Sequence, residues 1–107
     1  MKAIKMAARE YLLSFAATIL NGLCTDPDSK ECTDSLNRLE GEVDKMSFIK
    51  QFGDLQFSFT REPEEQASHV MGQEKGKRQI PIEVAESFTK MMVILLVDQW
   101  GKTLLNL

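Results

Sequence analysis

Seven apolar residues in an unbroken row constrain this chain more than any other feature of its sequence. The run from Met91 to Val97 lies in a C-terminal segment that otherwise reads as a helix. Successive side chains of a helix are turned by about 100°, so a run of seven points to every side of the axis. Seven residues are far fewer than the roughly 20 that span a bilayer, and Lys90 and Asp98 flank the run. We therefore expect protein to cover this helix on all sides, in a core or at an interface.

The length of 107 residues predicts a single domain, 1–107. A domain of this size buries only about 60–70% of the surface that its unfolded chain exposes, so its core is modest. The content of 43% hydrophobic and 27% charged residues is close to that of globular proteins and argues against disorder.

The net charge of −3 is concentrated in the middle of the chain, where residues 25–65 hold eleven acids and five bases. Proteins that bind phosphate backbones carry a basic stripe or patch, and this distribution is the opposite. Nucleic acid is therefore not the favoured partner.

Helical periodicity predicts three main helices, at about 2–23, 33–52 and 81–105. The first has so narrow a polar strip that it must be packed on at least two sides. The second has one apolar seam and a charged back, with Gly53 as its C-terminal cap. Pro81 opens the third helix.

One short segment, at about 55–60, alternates apolar and polar residues in the manner of a strand. Three partners are open: residues 66–71 in a β-hairpin, residues 79–84, or the same strand in a second copy of the chain. Pro63 followed by acids at the positive end of a helix favours a short helix at 63–71 over the hairpin. The predicted fold is mainly α, a small domain of three to four helices with one short extended or β element.

The N-terminus loosely imitates a secretory signal, but Glu10 interrupts its apolar region and Leu23 occupies the cleavage position. We predict a cytoplasmic protein. The two cysteines, Cys24 and Cys32, are then expected to be free thiols.

The sequence contains no pattern that indicates catalysis, a cofactor or a metal. His69 is the single histidine, so a two-histidine metal centre within one chain is excluded. Asp26, Asp28 and Glu31 are better explained by helix capping than by calcium binding. Carboxylate pairs such as Glu40 with Asp44 and Glu83 with Glu86 are expected on solvated helix faces. We therefore predict that the protein is not an enzyme.

The one basic cluster is Lys75, Lys77 and Arg78, in a polar segment with two glycines. An exposed solubilising loop is the favoured interpretation, and contacts with phosphate or another anion are the alternative. Phe57 and Phe59 are expected in the core rather than on a base-stacking surface.

The predicted function is a non-enzymatic protein-interaction module: a small acidic adaptor, inhibitor or chaperone that acts through an apolar helical surface. The first and last helices offer more apolar surface than two partner helices can cover, which favours a homodimer as well as another protein partner, with no membrane contact. A dimeric nucleic-acid-associated regulator that uses the 75–78 loop is the alternative. The expected interface residues are Met91, Met92, Leu95, Leu96, Trp100 and Leu104.

Overall fold

The computed structural model describes residues 3–72 and 80–104. In it, the other elements pack around one central helix. The elements of this described part are β1 (Ile4–Ala7), α1 (Ala8–Leu23), α2 (Lys30–Lys45), α3 (Ser47–Phe52), β2 (Gln56–Phe59), α4 (Pro63–Met71) and α5 (Ile82–Thr103). α1 packs against α2, α4 and α5. The predictions of a mainly α fold, of a short helix at 63–71 and of a first helix covered on several sides are confirmed.

The first helix was predicted at 2–23, but in the structure it begins at Ala8, so the predicted start is wrong. Residues 4–7 form β1, which pairs antiparallel with β2, with Ile4 opposite Phe59 and Met6 opposite Phe57. Ile4 and Met6 are half-buried and flank the exposed Lys5, so the segment also has the period of a strand. Pairing with a distant strand therefore overrides its helical composition. The partner of β2 is β1 and none of the three partners considered above: residues 66–71 belong to α4, and residues 82–84 to α5.

The backbone of residues 53–55 supports the start of α1. Ala7, at the N-cap position, makes no side-chain capping bond. Instead, the amides of Ala8 and Arg9 donate hydrogen bonds to the carbonyls of Leu55 and Gly53, at 3.1 and 2.9 Å. The amides in the first turn of a helix have no acceptor within the helix, so these two would otherwise lack a protein partner. A tertiary contact thus marks the beginning of α1, in place of a capping residue in the sequence.

The second predicted helix, 33–52, is two helices in the structure. Met46 separates α2 from α3 with extended backbone angles, φ −69° and ψ 133°. Its amide donates to the carbonyl of Val43 and its carbonyl accepts from the amide of Lys50, so Met46 shares a hydrogen bond with each of the two helices. The break directs Phe48 to the core, where its ring centroid lies 5.8 Å from that of Trp100.

An aromatic cluster joins β2 to the helices. Tyr11 stacks on Phe59 with ring centroids 4.0 Å apart and meets Trp100 edge-on at 5.6 Å. The Tyr11 hydroxyl donates to the carbonyl of Arg61 at 2.8 Å, which satisfies its polar end. Phe59 is buried and Phe57 half-buried against the core, as predicted.

The last helix, α5, begins directly after Pro81, close to the predicted start. Across residues 3–72 and 80–104, no helix combines the length and the apolar character needed to cross a bilayer. The expectation that all sides of the run from Met91 to Val97 are covered is not met within one chain. Val93, Leu96 and Val97 are buried, whereas Met91, Ile94 and Leu95 are exposed.

Candidate protein-interaction surface

The acidic segment before α2 shapes a turn and a helix start. An oxygen of the Asp26 carboxylate accepts a hydrogen bond from the amide of Asp28 at 3.1 Å. The Ser29 hydroxyl oxygen accepts from the amide of Cys32 at 3.2 Å and caps α2. Capping was predicted for this segment, but Ser29 itself was not identified from the sequence. In the described ranges, no three His, Cys, Asp or Glu side chains come together in a group that could hold a metal.

The two thiols lie near each other at the junction of α1 and α2, and both are free. Cys32 is buried, with its Sγ 3.6 Å from Oδ1 of Asn21, and Cys24 is half-buried. Burial chiefly, with smaller contributions from the Cys32 thiol and the Asp26 carboxylate, raises the pKa of the Cys24 thiol to about 12. Because the thiolate is the reactive form, this pair has the character of packed rather than activated cysteines.

An exposed ion-pair cluster joins α1 to α2. The guanidinium of Arg9 donates to the carboxylates of Asp44, at 2.7 and 3.1 Å, and Glu40, at 3.0 Å. Hydrogen bonding to Arg9 lowers the pKa of Asp44. Glu40 and Asp44 are exposed, as predicted for a solvated surface pair.

Glu86 differs from the predicted solvated carboxylate, because it lies half-buried between α5 and α2. Its Oε1 accepts from the Ser35 hydroxyl at 2.7 Å and from Nη2 of Arg38 at 2.7 Å. One turn further along α5, Lys90 donates to Glu42 of α2 at 2.7 Å. Glu86 and Lys90, the two charged residues that follow Glu83 in the first half of α5, thus both face α2.

The opposite side of α5 carries an apolar ridge that the chain leaves open to solvent. Val84 is 55%, Met91 53% and Leu95 55% exposed, and Phe88 between them is half-buried. Their spacing of four, three and four residues places them along one line of the helix. We call these four residues, Val84, Phe88, Met91 and Leu95, the outer stripe.

An apolar groove runs beside the outer stripe, between α4 and α5. It contains two cavities, of about 330 and 110 Å³, which share Val70 of α4 as a lining residue. Among residues 3–72 and 80–104, no charged side chain lines either cavity. The lining residues are Leu23, Val70, Met71, Ile80, Val84, Ala85 and Phe88 for the larger cavity, and Phe15, Gln66, Val70, Met92, Leu95, Leu96 and Gln99 for the smaller one.

The cleft on the other side of α5 is different in character. A cavity of about 230 Å³ between α2 and α5 is lined in part by Glu42, Lys45 and Lys90. Ile94, which is 47% exposed, borders this charged cleft. Between residues 84 and 95, the side of α5 that carries no charged residue of the described part of the chain is therefore the outer stripe with the α4–α5 groove.

The expected interface residues separate into three groups. Met91 and Leu95 are exposed on the outer stripe, and Met92 and Leu104 are half-buried. Leu96 and Trp100 are buried inside the chain, so they belong to its core and not to an open surface. The prediction was wrong for these two residues because a continuous apolar run does not indicate which side of the helix is buried. The packing of α1 against α5 determines which side that is.

Two residues of the outer stripe, Val84 and Phe88, were not identified as interface residues from the sequence. The four-three-four spacing that they share with Met91 and Leu95 is the signal that could have found them. The anion-contact candidates Lys75, Lys77 and Arg78 lie outside the described residues.

Comparisons with protein-family models, with curated proteins and with solved structures found no match.

Proposed function

We propose that this chain is a small, acidic, non-enzymatic protein-interaction module, acting in the cytoplasm through the outer stripe and the α4–α5 groove. One observation carries the proposal: the longest described helix, α5, exposes an apolar ridge beside an apolar groove, and no described residue that lines this groove is charged. Large apolar residues that are exposed in a continuous line indicate a contact with another protein. Single exposed apolar residues are common on protein surfaces and would not indicate one.

The polar groups of the described part of the chain support a structural role. The buried hydroxyls of Ser35 and Thr89 both donate hydrogen bonds, to Glu86 and to the carbonyl of Ala85. In that part of the chain no buried side-chain nitrogen or oxygen lacks a hydrogen-bond partner. Polar side chains that are already satisfied stabilise the fold.

Capture from a cell lysate tests the proposal when two matched variants are compared. Leu95→Glu places a charge on the outer stripe, and Leu55→Glu places it on an equally exposed leucine in the segment before β2. Tagged wild-type, L95E and L55E chains are incubated with lysate that also contains untagged chain, and the captured proteins are quantified by mass spectrometry.

We expect wild type and L55E to capture the same proteins and L95E to lose them, because a buried unpaired carboxylate opposes association. Circular dichroism verifies that all three chains are folded. Equal capture by L95E and wild type would refute the proposed function.

The nucleic-acid alternative stays a prediction, since its basic residues lie outside the described ranges. A mobility shift on nucleic acid at low salt that disappears at high salt would favour it.

A further inference from the structure

We infer that Cys24 and Cys32 form an intramolecular disulfide when the folded chain meets a small-molecule disulfide, with Cys24 as the sulfur that reacts first and Cys32 as the sulfur that completes the bond. The bond ties the end of α1 to the first turn of α2. This inference does not depend on the outer stripe or on the proposed function.

Two helix ends hold the cysteines at the α1–α2 junction. Cys24 ends α1, and its amide donates to the carbonyl of Leu20 at 2.9 Å. Cys32 lies in the first turn of α2, where its amide donates to the Ser29 hydroxyl at 3.2 Å. The Sγ of Cys32 lies 3.6 Å from Oδ1 of Asn21, which precedes Cys24 by about one helical turn. The Cys32 thiol therefore lies against the last turn of α1, beside the thiol of Cys24.

The exposure of the two sulfurs sets the order of reaction. Cys24 is half-buried, whereas Cys32 is only 2% exposed. Residues 25–28, in the turn that joins the helices, are exposed, so the junction lies at the surface. A protein disulfide forms through a mixed disulfide with the reagent, and the thiol that the reagent can reach must form it. That thiol is Cys24.

The reaction has two steps, written here with oxidised glutathione as the small-molecule disulfide. The Cys24 thiolate attacks one glutathione sulfur, the glutathione S–S bond breaks, and one glutathione thiolate leaves. The Cys32 thiolate then attacks the Cys24 sulfur of the mixed disulfide, and the second glutathione thiolate leaves. In total the two cysteines lose two protons and two electrons, which convert one oxidised glutathione into two reduced molecules.

The raised pKa of Cys24 makes the bond slow to form and stable once formed. Little thiolate exists at neutral pH, so the first step is slow. Burial, the Cys32 thiol and the Asp26 carboxylate all disfavour the thiolate. The reduced pair thus lacks the stabilisation that makes a disulfide easy to reduce. We therefore expect oxidation to give a lasting cross-link of the junction, not a rapidly reversible one.

Intact mass spectrometry of three chains tests the inference. Wild type, Cys24→Ser and Cys32→Ser are reduced, freed of reductant and incubated in the folded state with oxidised glutathione at mildly alkaline pH. Serine keeps the shape of each side chain, and circular dichroism verifies the fold. The same incubation in urea is the control, in which both variants should gain one glutathione.

We expect folded wild type to lose the mass of two hydrogens and to retain no glutathione. Folded C32S should retain one glutathione, because the second step is blocked. Folded C24S should stay unmodified, because its remaining thiol is buried. A peptide map without reduction should contain Cys24 joined to Cys32, and the oxidised chain should unfold at a temperature at least roughly 5 °C higher than the reduced chain.

Wild type that stays reduced, retains glutathione or forms only disulfide-linked dimers would overturn the inference. Equal modification of folded C24S and C32S would overturn the order of reaction. If either variant fails to fold, the mass and the peptide map of wild type still decide whether the bond forms.

Discussion

At the scale of single residues, Gly53 is fixed by a close approach. It follows α3 with φ −58°, an ordinary right-handed angle, so no left-handed backbone demands a glycine there. A Cβ at this position would overlap the carbonyl of Ile49. Gly53 is at the predicted C-terminal cap. Glycine is required there because a side chain would not fit, and not because the backbone angle demands it.

Gly53→Ala should therefore destabilise the protein by about 1–3 kcal/mol, the usual cost of overpacking. Gly41→Ala is the matched control, because a Cβ at this exposed position in α2 meets no atom within 4 Å. The control should instead stabilise by about 0.5–1 kcal/mol. Urea denaturation measures both, and a G53A variant as stable as wild type would contradict the overlap.

Cys24 offers a second test at this scale. Its pKa is raised to about 12, chiefly by burial, so very little thiolate exists near pH 8. Alkylation by iodoacetamide should be much slower than that of an ordinary thiol and should still accelerate above pH 10. Mass spectrometry of the Cys24 peptide over a pH series gives the rate, and a plateau at or below pH 9 would show that the thiol is not shielded.

At the scale of elements, the contact between α2 and α5 depends on an ionised Glu86. Hydrogen bonding to Arg38 holds the pKa of Glu86 below its ordinary value of 4.5. A lowered pKa in the folded state contributes stability that is present above the unfolded value and is lost as the pH falls through the folded value.

Glu86→Gln should thus lower the free energy of unfolding at pH 7, and its difference from wild type should shrink as the pH falls below about 4.5. Asp54→Asn, at an exposed acid in the turn before β2, is the control and should change stability little. Thermal unfolding at several pH values compares the variants. An E86Q deficit that is the same at pH 3 and pH 7 would contradict the role of the charge.

The elements also show which parts of the fold could be predicted from local sequence. α4 and the body of α1, α2 and α5 follow from periodicity and capping, which act within a few residues. β1 could not be predicted, because its partner β2 lies about 50 residues away and supplies the pairing. The break at Met46 was missed because the apolar seam continues through it, and only the packing of Phe48 on Trp100 shows why the chain turns there.

At the scale of the whole molecule, the distribution of apolar surface explains the proposed interface. α1 is covered by α2, α4 and α5, so its apolar residues are used within the chain. α5 is covered on one side, and its other side keeps Val84, Met91 and Leu95 exposed. Sequence reasoning could find this apolar excess, but it could not say which side of α5 remains open, since that depends on where α1 and α2 pack.

Light scattering coupled to size exclusion tests most directly whether the chain associates through the outer stripe, as the predicted homodimer requires. The wild-type chain should have the mass of two chains at high concentration and approach that of one chain over about a hundredfold dilution, as mass action requires. L95E should have the mass of one folded chain throughout, and L55E should follow wild type. A wild-type mass that stays at one chain over the whole range would contradict the predicted homodimer.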